Sequence, residues 1–418
     1  MVQPLTQPEA GSWLTRWLEV CAELDRLQAQ NPMLDAVIEE VDGRRIRVGD
    51  RWLHDFASCN YLGLDLDREV IEGIPAYLDR WGTHPGWSRM LGSPVLYEQI
   101  EAALTELLGV EDALLLPTLT HIHAAVIPVL AGGGTVLLDA RAHKTIYDGA
   151  VVARARGAGL QRFAHDDPEA LERLLRRHPK APRLVCMDGI NSMTGNPPRL
   201  AAFLELARAY EATLYVDDGH GFGVVGERSR AETSPYGRRG NGVVRHLGES
   251  YDHVVLTGGF SKAYSSLLAF VTCPSELKRL LKVTAPPYLY SGPSPVASLA
   301  SVLLGLEVNA GRGDELRAML YGKTRRVLDH LEKLGAATLN GSGFPIVEVP
   351  LADDLDRVGA LLCERGIYAT LAFYPGVPRH EVGFRLQLTA TNTADQVDDL
   401  LTVLDELADR GLLRPRFP

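Results

Sequence analysis

The chain has 418 residues, of which 46% are apolar and 23% charged, and its formal net charge is −10. At roughly 100–200 residues per domain, this length predicts one large domain and one or two smaller ones. Acidic and basic residues are mixed along the chain, which argues against a nucleic-acid partner, and no run of about 18 consecutive apolar residues predicts a membrane span.

The N-terminal residues and the cysteines bear on the cellular compartment. The N-terminus lacks a basic start followed by an apolar segment, so no secretory signal is predicted. The five cysteines are scattered, with no Cys-x-x-Cys pair and no histidine at zinc-ligand spacing. We therefore expect a cytoplasmic protein with no disulfide framework and no bound metal.

Residues 1–58 predict an N-terminal arm. Apolar residues recur at helical spacing from Trp13 to Leu27. The segment VIEEVDGRRIRVGDRWLHDF that follows is typical of a hairpin turned at Asp42 and Gly43. A short arm of this kind is expected to pack on another part of the molecule.

Residues 59–293 predict a large α/β domain. Amphipathic stretches alternate with short apolar runs, which are DALLLP, GTVLLD, LQRFA, PRLVCMD, ATLYVD, DHVVLTG and LLAFVT. This alternation is typical of a mostly parallel sheet covered by helices on both faces. Three of the runs end in Asp139, Asp188 and Asp217, which places acids at the carboxyl edge, where open α/β sheets bind ligands.

Residues 294–418 predict a connecting helix and a small α+β domain. The helical pattern from Pro295 to Leu334 is interrupted near Gly311-Arg312-Gly313. Three strands follow, GFPIVEVP, GIYATLAFY and GFRLQLTA, separated by helices over Asp354 to Arg365 and Thr393 to Arg410.

Asp217 and His220 belong to the first chemical motif, TLYVDDGHGFGVVGE. A strand-end carboxylate that pairs with a pyridine nitrogen keeps that nitrogen protonated, and the ring then withdraws electrons. The structural alternative is that Asp217 only caps the turn after its strand.

Lys262 belongs to the second motif, DHVVLTGGFSKAYSSLLAF, in which a Gly-rich turn joins two apolar strands. Burial between such strands favours the neutral, nucleophilic amine that a Schiff base requires. The alternative is an ordinary surface lysine in a loop, although hydroxyl groups at Ser261, Ser265 and Ser266 stand beside it.

Two further segments complete the candidate site. In LLLPTLTHIHAAVIPVL, Thr118 or Thr120 can cap a helix whose free N–H groups suit a phosphate, or simply cap an ordinary turn. In LDARAHKTIYDGA, His143 follows the strand-end Asp139 by four residues. His143 can stack on an aromatic cofactor or donate a proton to a substrate carbonyl, or it can be a solvated residue at a helix start.

These motifs, in this order, resemble those of the α-oxoamine synthase family of fold-type I pyridoxal 5′-phosphate (PLP) enzymes. From Asp55 onward the similar segments are FASCNYLGL, SRMLGSPVLYEQIEAALTELLG, RFAHDDPEALERLL, VDDGHGFGVVGE, GGFSKA and FRLQLTA. The resemblance implies an aspartate aminotransferase-like α/β fold, with a large, mostly parallel seven-stranded sheet domain and a small C-terminal α+β domain. It also implies PLP as the cofactor.

The resemblance implies three groups of site residues. The catalytic group surrounds the pyridine ring and comprises Lys262, Asp217, His220 and His143. The cofactor-binding group comprises Thr118, Leu119, Thr120, Asp188, Ser192, Ser261 and, from a second subunit, Ser291. The substrate-binding group comprises Asn60, His84 and Arg385.

Within these groups, the resemblance implies that Lys262 forms the Schiff base and that Asp217 pairs with the ring nitrogen. His143 stacks on the ring, and His220 lies with Ser192 near its phenolic oxygen. Arg385 binds the amino-acid carboxylate, for which a planar guanidinium is well suited.

The chain departs from the family pattern at several of these motifs. GTHPGWSR adds bulk at His84 and Trp87, and TLTHIH introduces His121 and His123 into the phosphate turn. Gly259 replaces a usual threonine, and Asp188 replaces a usual glutamate. These departures favour a specialised biosynthetic relative.

The reaction implied is a decarboxylative Claisen-type condensation of an amino acid with an acyl thioester, carried by CoA or a carrier protein, to give an α-amino ketone. The same residues also suit an aminotransferase or an aldolase or retro-Claisen lyase. A non-catalytic binding subunit is the alternative from another class, and the joint presence of Lys262, Asp217 and Arg385 argues against it. A site shared between subunits implies a homodimer.

Overall fold

The computed structural model describes residues 13–229, 231–352, 355–374 and 376–416. It begins with helix α1 (Trp13–Gln30), so the first 12 residues of the predicted arm lie outside the described residues. The arm continues as an antiparallel sheet of β1 (Ile38–Asp42), β2 (Arg45–Val48) and β3 (Arg51–Asp55). The predicted turn at Asp42 and Gly43 is confirmed, and glycine suits it because φ of Gly43 is +56°.

The large domain is built on a seven-stranded sheet within the described residues. Its strands are β4 (Asp112–Leu116), β5 (Thr135–Asp139), β6 (Gly159–Phe163), β7 (Arg183–Asp188), β8 (Thr213–Asp217), β9 (Val254–Gly259) and β10 (Ala269–Cys273). Their spatial order is β4-β10-β9-β8-β7-β5-β6, and only β10 runs antiparallel to its neighbours. The mostly parallel sheet and its seven predicted strands are confirmed.

Helices cover both faces of this sheet. They are α2 (Arg68–Trp81), α3 (Val95–Leu108), α4 (Leu119–Ala131), α5 (Lys144–Ala155), α6 (Pro168–Arg177), α7 (Leu200–Ala209), α8 (Gly242–His246), α9 (Ser275–Thr284) and α10 (Pro286–Leu289). Alternate residues of β5 enter two separate cores, with Leu137 on one face and Val136 and Leu138 on the other. This double burial explains why the strands are continuous apolar runs.

A single helix, α11 (Val296–Lys333), connects the large domain to the C-terminal part. The predicted interruption near Gly311-Arg312-Gly313 is wrong, because tertiary contacts outweigh the roughly 1 kcal/mol helix penalty of each glycine. Gly313 gives room to Asn309, whose Oδ1 would lie 2.4 Å from a Cβ at that position. The fully buried Arg317 then donates hydrogen bonds to Asn309 Oδ1 and to the carbonyl of Gly223.

The C-terminal part forms a three-stranded antiparallel sheet of β11 (Ile346–Pro350), β14 (Gly383–Gln387) and β13 (Thr370–Ala372). It carries α12 (Leu355–Glu364) and α13 (Ala394–Asp409), and the predicted helix start at Asp354 lies outside the described residues. GIYATLAFY is two strands, since β12 (Ile367–Tyr368) leaves this sheet to pair in parallel with β3 of the arm. The domain boundaries at 58 and 293 stay predictions.

Candidate active site

The carboxyl ends of the central strands open onto a cavity of about 190 Å³. Asp188 at the end of β7 and Asp217 at the end of β8 are register partners, so their side chains arrive side by side. The cavity is lined by Thr118, Leu119, Thr120, His143, Thr145, Asp188, Ile190, Ser192, Asp217, Gly219, His220, Ser261 and Lys262. The fold therefore brings together all four predicted catalytic residues and six of the seven predicted cofactor-binding residues.

Lys262 and Asp217 face the same space across Gly219. A Cβ at Gly219 would lie 3.1 Å from Lys262 Nζ and 3.2 Å from Asp217 Oδ1. A side chain at this position would thus fill the gap between the amine and the carboxylate. The glycine therefore leaves the space beside both groups open.

Asp217 is buried and ionised. Its Oδ1 accepts a hydrogen bond from the Gly219 N–H at 3.0 Å, and its Oδ2 lies 3.1 Å from His123 Nε2. Burial by itself raises the pKa of Asp217, but His123, Lys262 and His143 outweigh it and hold that pKa below the ordinary value. The carboxylate is therefore available to stabilise a positive charge on its open side.

His123 is a functional residue whose role sequence analysis missed. It is fully buried, and its Nδ1 lies 2.8 Å from the hydroxyl of Tyr215. An ionised carboxylate only accepts, so Nε2 donates its hydrogen to Asp217 Oδ2. Tyr215 and Asp217 are two positions apart on β8, so their side chains project from the same face of the sheet. This spacing is the feature of the sequence from which their shared contact with His123 could have been predicted.

We expect the substitution His123→Ala to lower the free energy of unfolding by about 2 to 4 kcal/mol, because it leaves the Tyr215 hydroxyl and Asp217 Oδ2 buried without their partner. Urea denaturation of both proteins measures the difference. The control is His121→Ala on the same helix, whose exposed side chain predicts a change within about 0.5 kcal/mol. Equal effects of the two substitutions would contradict the predicted role.

His220 is held by Tyr61, a residue of the NYLGL segment that sequence analysis did not select. The Tyr61 hydroxyl lies 2.8 Å from His220 Nδ1, and Tyr61 is fully buried. Burial, together with the charges of Lys262 and Arg385, lowers the pKa of His220 well below its ordinary value. His220 is therefore neutral, and the contact between its Nδ1 and Tyr61 fixes the orientation of its ring.

His143 is the N-cap residue of α5 and also lines the cavity. The backbone N–H of His143 donates to Asp188 Oδ1 at 2.9 Å, and the ring Nδ1 lies 2.8 Å from Thr145 Oγ1. Burial lowers the pKa of His143, so its ring is neutral near pH 7. Thr145, which sequence analysis also missed, fixes the orientation of that ring.

The start of α4 forms a third side of the cavity. Of the two predicted cap residues, Thr118 and Thr120, it is Thr118 that caps the helix. Its hydroxyl oxygen accepts a hydrogen bond from the His121 N–H at 3.2 Å. Thr120 and Ser261 place hydroxyl groups beside this helix start. Together they form a polar, electropositive end that suits an anion.

Arg385 lies at the border of the cavity, outside its lining. Its Nη1 donates to the Ser192 carbonyl at 2.6 Å. With the Gln387 amide oxygen turned toward it, Nε and Nη2 donate to Gln387 Oε1 at 3.1 and 2.8 Å. Nη1 also contacts Met193 Sδ, a weak acceptor, at 3.5 Å. Of the five N–H groups of the guanidinium, one on Nη1 and one on Nη2 therefore have no strong acceptor among the described residues, and a carboxylate can bind such a pair end-on.

Three other predicted residues do not line the cavity. Asn60 donates to Asp65 Oδ2 at 2.8 Å, His84 is exposed, and the Ser291 hydroxyl donates to the Gly292 carbonyl. His84 and Gly292 are neighbours, since a Cβ on Gly292 would lie 3.3 Å from His84 Nε2. The predicted roles of these three residues, and that of Arg385, stay predictions.

The residues of the cavity fit PLP. Asp188 Oδ2 is buried and has no hydrogen-bond partner in the described part of the chain, and burial with the nearby charge of Asp217 raises the pKa of Asp188 well above its usual range. A protonated Asp188 is thus a free donor into the cavity. Lys262 and the ionised Asp217 line this cavity together, and the helix start offers a phosphate site.

The fold and this cavity define a fold-type I, PLP-dependent transferase. The chain belongs to the aminotransferase class I and II family, whose model matches residues 54–404. It is 34% identical over 361 residues to a putative 8-amino-7-oxononanoate synthase of Desulforudis audaxviator, covering 85% of this chain and 89% of the relative. It is also 34% identical to 8-amino-7-oxononanoate synthase of Pseudomonas putida, covering 91% and 93%.

Solved structures give the same result. A serine palmitoyltransferase with PLP superposes with a TM-score of 0.86 at 25% identity, covering 96% of this chain and 98% of that one. The serine palmitoyltransferase of Sphingomonas wittichii has a TM-score of 0.85 at 26% identity, with the same coverage. Both named activities are those of α-oxoamine synthases, so the resemblance inferred from the sequence motifs is confirmed.

Proposed function

We propose that this protein is a PLP-dependent acyltransferase that condenses an α-amino acid with an acyl thioester, with loss of CO₂ and of the free thiol, to give an α-amino ketone. The observation that carries this proposal is that Lys262 and the ionised Asp217 line one cavity with a helix start that suits a phosphate. The relatives named 8-amino-7-oxononanoate synthase and serine palmitoyltransferase support the reaction class.

Each side of the cavity has a role in holding the cofactor. Lys262 Nζ would hold it covalently, Asp217 would pair with its ring nitrogen, and the start of α4 with Ser261 would hold its phosphate. PLP supplies an electron sink that stabilises negative charge on Cα of an amino acid. Asp217 would maintain this property, because its carboxylate, held ionised with the help of His123, would favour a proton on the ring nitrogen.

The remaining residues bind and orient the substrates. Arg385 would bind the amino-acid carboxylate with the N–H groups that Ser192 and Gln387 do not occupy, and Lys262 Nζ would take the Cα proton. The Cα–acyl bond would form as the carbon–sulfur bond breaks and the thiolate leaves. The amino-acid carboxylate would then leave as CO₂, and Lys262 Nζ would return the proton to Cα. His143, oriented by Thr145, hydrogen-bonds the thioester carbonyl oxygen as negative charge develops there.

A second cavity provides the route for the thioester. It has a volume of about 630 Å³ and shares His143 and Ser192 with the cofactor cavity. Tyr147, Met193 and Val377 contribute apolar surface. The basic residues Arg141, Lys144 and Arg162 outnumber the acids Asp139 and Glu381, the second of which is paired with Arg141. This composition suits an acyl chain on an anionic carrier, either CoA or a carrier protein.

We also propose a cytoplasmic homodimer in which Ser291 reaches the phosphate of the neighbouring subunit. Support comes from exposed apolar side chains next to this segment, with Leu91 85% and Tyr290 84% exposed. A two-fold dimer would cover them. Within the described residues, no helix is both long and apolar enough to cross a membrane.

The proposed reaction is tested with purified protein, PLP and a panel of amino acids labelled at the carboxyl carbon, each with and without acyl-CoA or acyl-carrier thioesters. We expect release of free thiol and labelled CO₂ in equal amounts, and only when both substrates are present. Formation of a keto acid from the amino acid without thiol release would instead establish transamination and contradict the proposal.

A further inference from the structure

Glu348 is a buried acid that the proposed reaction does not use. It lies in the middle of β11, its exposed fraction is 0%, and neither carboxylate oxygen has a hydrogen-bond partner among the residues that the structure describes. Buried acids are normally paired or hydrogen-bonded, because an isolated charge is poorly solvated in the interior. An unpartnered one beside a substrate site therefore requires an explanation.

Glu348 is the direct cross-strand partner of Arg385. The two residues are opposite one another in the antiparallel pairing of β11 with β14, so their side chains project from the same face of the small sheet. Cβ atoms in such pairs are about 4.5 to 5.5 Å apart, which is within reach of two long side chains. The acid thus stands beside the guanidinium that we propose binds the amino-acid carboxylate.

The charged groups near Glu348 shift its pKa in opposite directions. Glu381, from the 3₁₀ turn Arg379–Glu381, repels it, whereas Arg385 and Arg141 attract it. Glu381 is occupied by Arg141, with Nη1–Oε2 and Nη2–Oε1 distances of 3.1 and 2.5 Å, and has His380 Nε2 3.5 Å away. Burial dominates, and it raises the pKa of Glu348 to about 8.

Resting on the proposed role of Arg385, we propose that Glu348 is a positioning residue. When ionised, Glu348 attracts the Arg385 guanidinium across the strand pair and competes for it with the amino-acid carboxylate, and when neutral, it leaves the guanidinium to the substrate. Amino-acid binding is thereby linked to the protonation of a group that the substrate does not contact.

The linkage predicts how binding changes with pH. The apparent dissociation constant is the intrinsic one divided by the fraction of protein with neutral Glu348. With the pKa of Glu348 at about 8, this fraction falls about tenfold between pH 7 and pH 9, so the apparent Kd rises about tenfold. The rise affects only ligands that have a carboxylate.

The experiment titrates the PLP-loaded enzyme with three ligand pairs, following the cofactor absorbance from pH 6 to pH 9. The pairs are glycine and methylamine, L-alanine and ethylamine, and L-serine and ethanolamine, so that the amine of each pair lacks only the carboxylate. We expect the ratio of amino-acid Kd to amine Kd to rise about tenfold in the wild type. The ratio should stay flat in both Glu348→Gln and Glu348→Leu, since neither can ionise.

A matched control is Glu381→Gln. It removes a repelling charge and frees Arg141, so the rise should persist with its midpoint at lower pH. A rise that persists unchanged in both Glu348 variants, or a flat ratio in the wild type, overturns the proposal. If no amino acid changes the spectrum of the loaded enzyme at any pH, the proposed function itself fails, and that outcome is distinct from a spectral change without pH dependence.

A second measurement needs no substrate. The unfolded chain ionises at its ordinary pKa of 4.5 and the folded protein at about 8, so ionisation of Glu348 favours unfolding as pH rises between these values. The urea midpoint of Glu348→Gln should therefore rise relative to that of the wild type from pH 5 to pH 8. Above pH 8 the difference between the two midpoints should stay constant. A constant difference across this range overturns the inferred protonation of Glu348.

Discussion

The substitution Lys262→Ala is expected to abolish turnover, with a loss of at least about 10⁴-fold, the upper end of what a general base alone contributes. The variant loses both the covalent attachment point and the base that takes the Cα proton. Its cavity keeps Asp217, Ser261 and the start of α4, so PLP should still bind without a covalent bond. Condensation assays and cofactor absorbance measure the two effects separately.

Borohydride reduction gives the decisive control for this prediction. It should fix PLP irreversibly to one peptide of the wild type, the one that contains Lys262, and to none in the variant. The matched substitution Lys333→Ala removes an exposed lysine at the end of α11 and should leave both labelling and turnover unchanged. Labelling at another lysine, or full turnover without Lys262, would refute the proposed reaction.

The second large effect is expected at Asp217, and the adjacent acid Asp218 provides its control. Asp217→Asn should slow Cα deuterium exchange of an amino acid by about 10² to 10³-fold, the loss typical of one preorganised electrostatic contact. His123, Lys262 and His143 hold the pKa of Asp217 below its usual value, so asparagine there removes a charge. Without that charge, the ring nitrogen is not kept protonated.

Asp218→Asn should leave the exchange rate nearly unchanged. Burial raises the pKa of Asp218 well above its usual range, so asparagine closely imitates the neutral acid. The Asp218 side chain accepts a hydrogen bond from the Val243 N–H at 2.7 Å, which the asparagine oxygen can retain. A comparable loss of exchange in both variants would mean that the charge of Asp217 is not what the reaction uses.

Local sequence was sufficient to predict the secondary structure of the large domain. The seven apolar runs are long enough and sufficiently well separated to form strands without reference to distant residues, and all seven do. Exceptions arose where distant contacts decided the outcome. Gly311 and Gly313 do not interrupt α11, since neighbouring elements pack against it there, and β12 leaves the small sheet because β3 offers it backbone partners.

Sequence by itself also determined the chemical class of this protein. Lys262, Asp217 and His220 lie in short motifs that follow strands, and the carboxyl ends of parallel strands meet at one edge of the sheet. The contacts that tune these groups were decided only by the tertiary structure. His123 reaches Asp217 from a different element, 94 positions away, and Glu348 meets Arg385 through strand pairing. A charge state depends on burial and on partners that are distant in sequence, and only the folded chain brings those partners together.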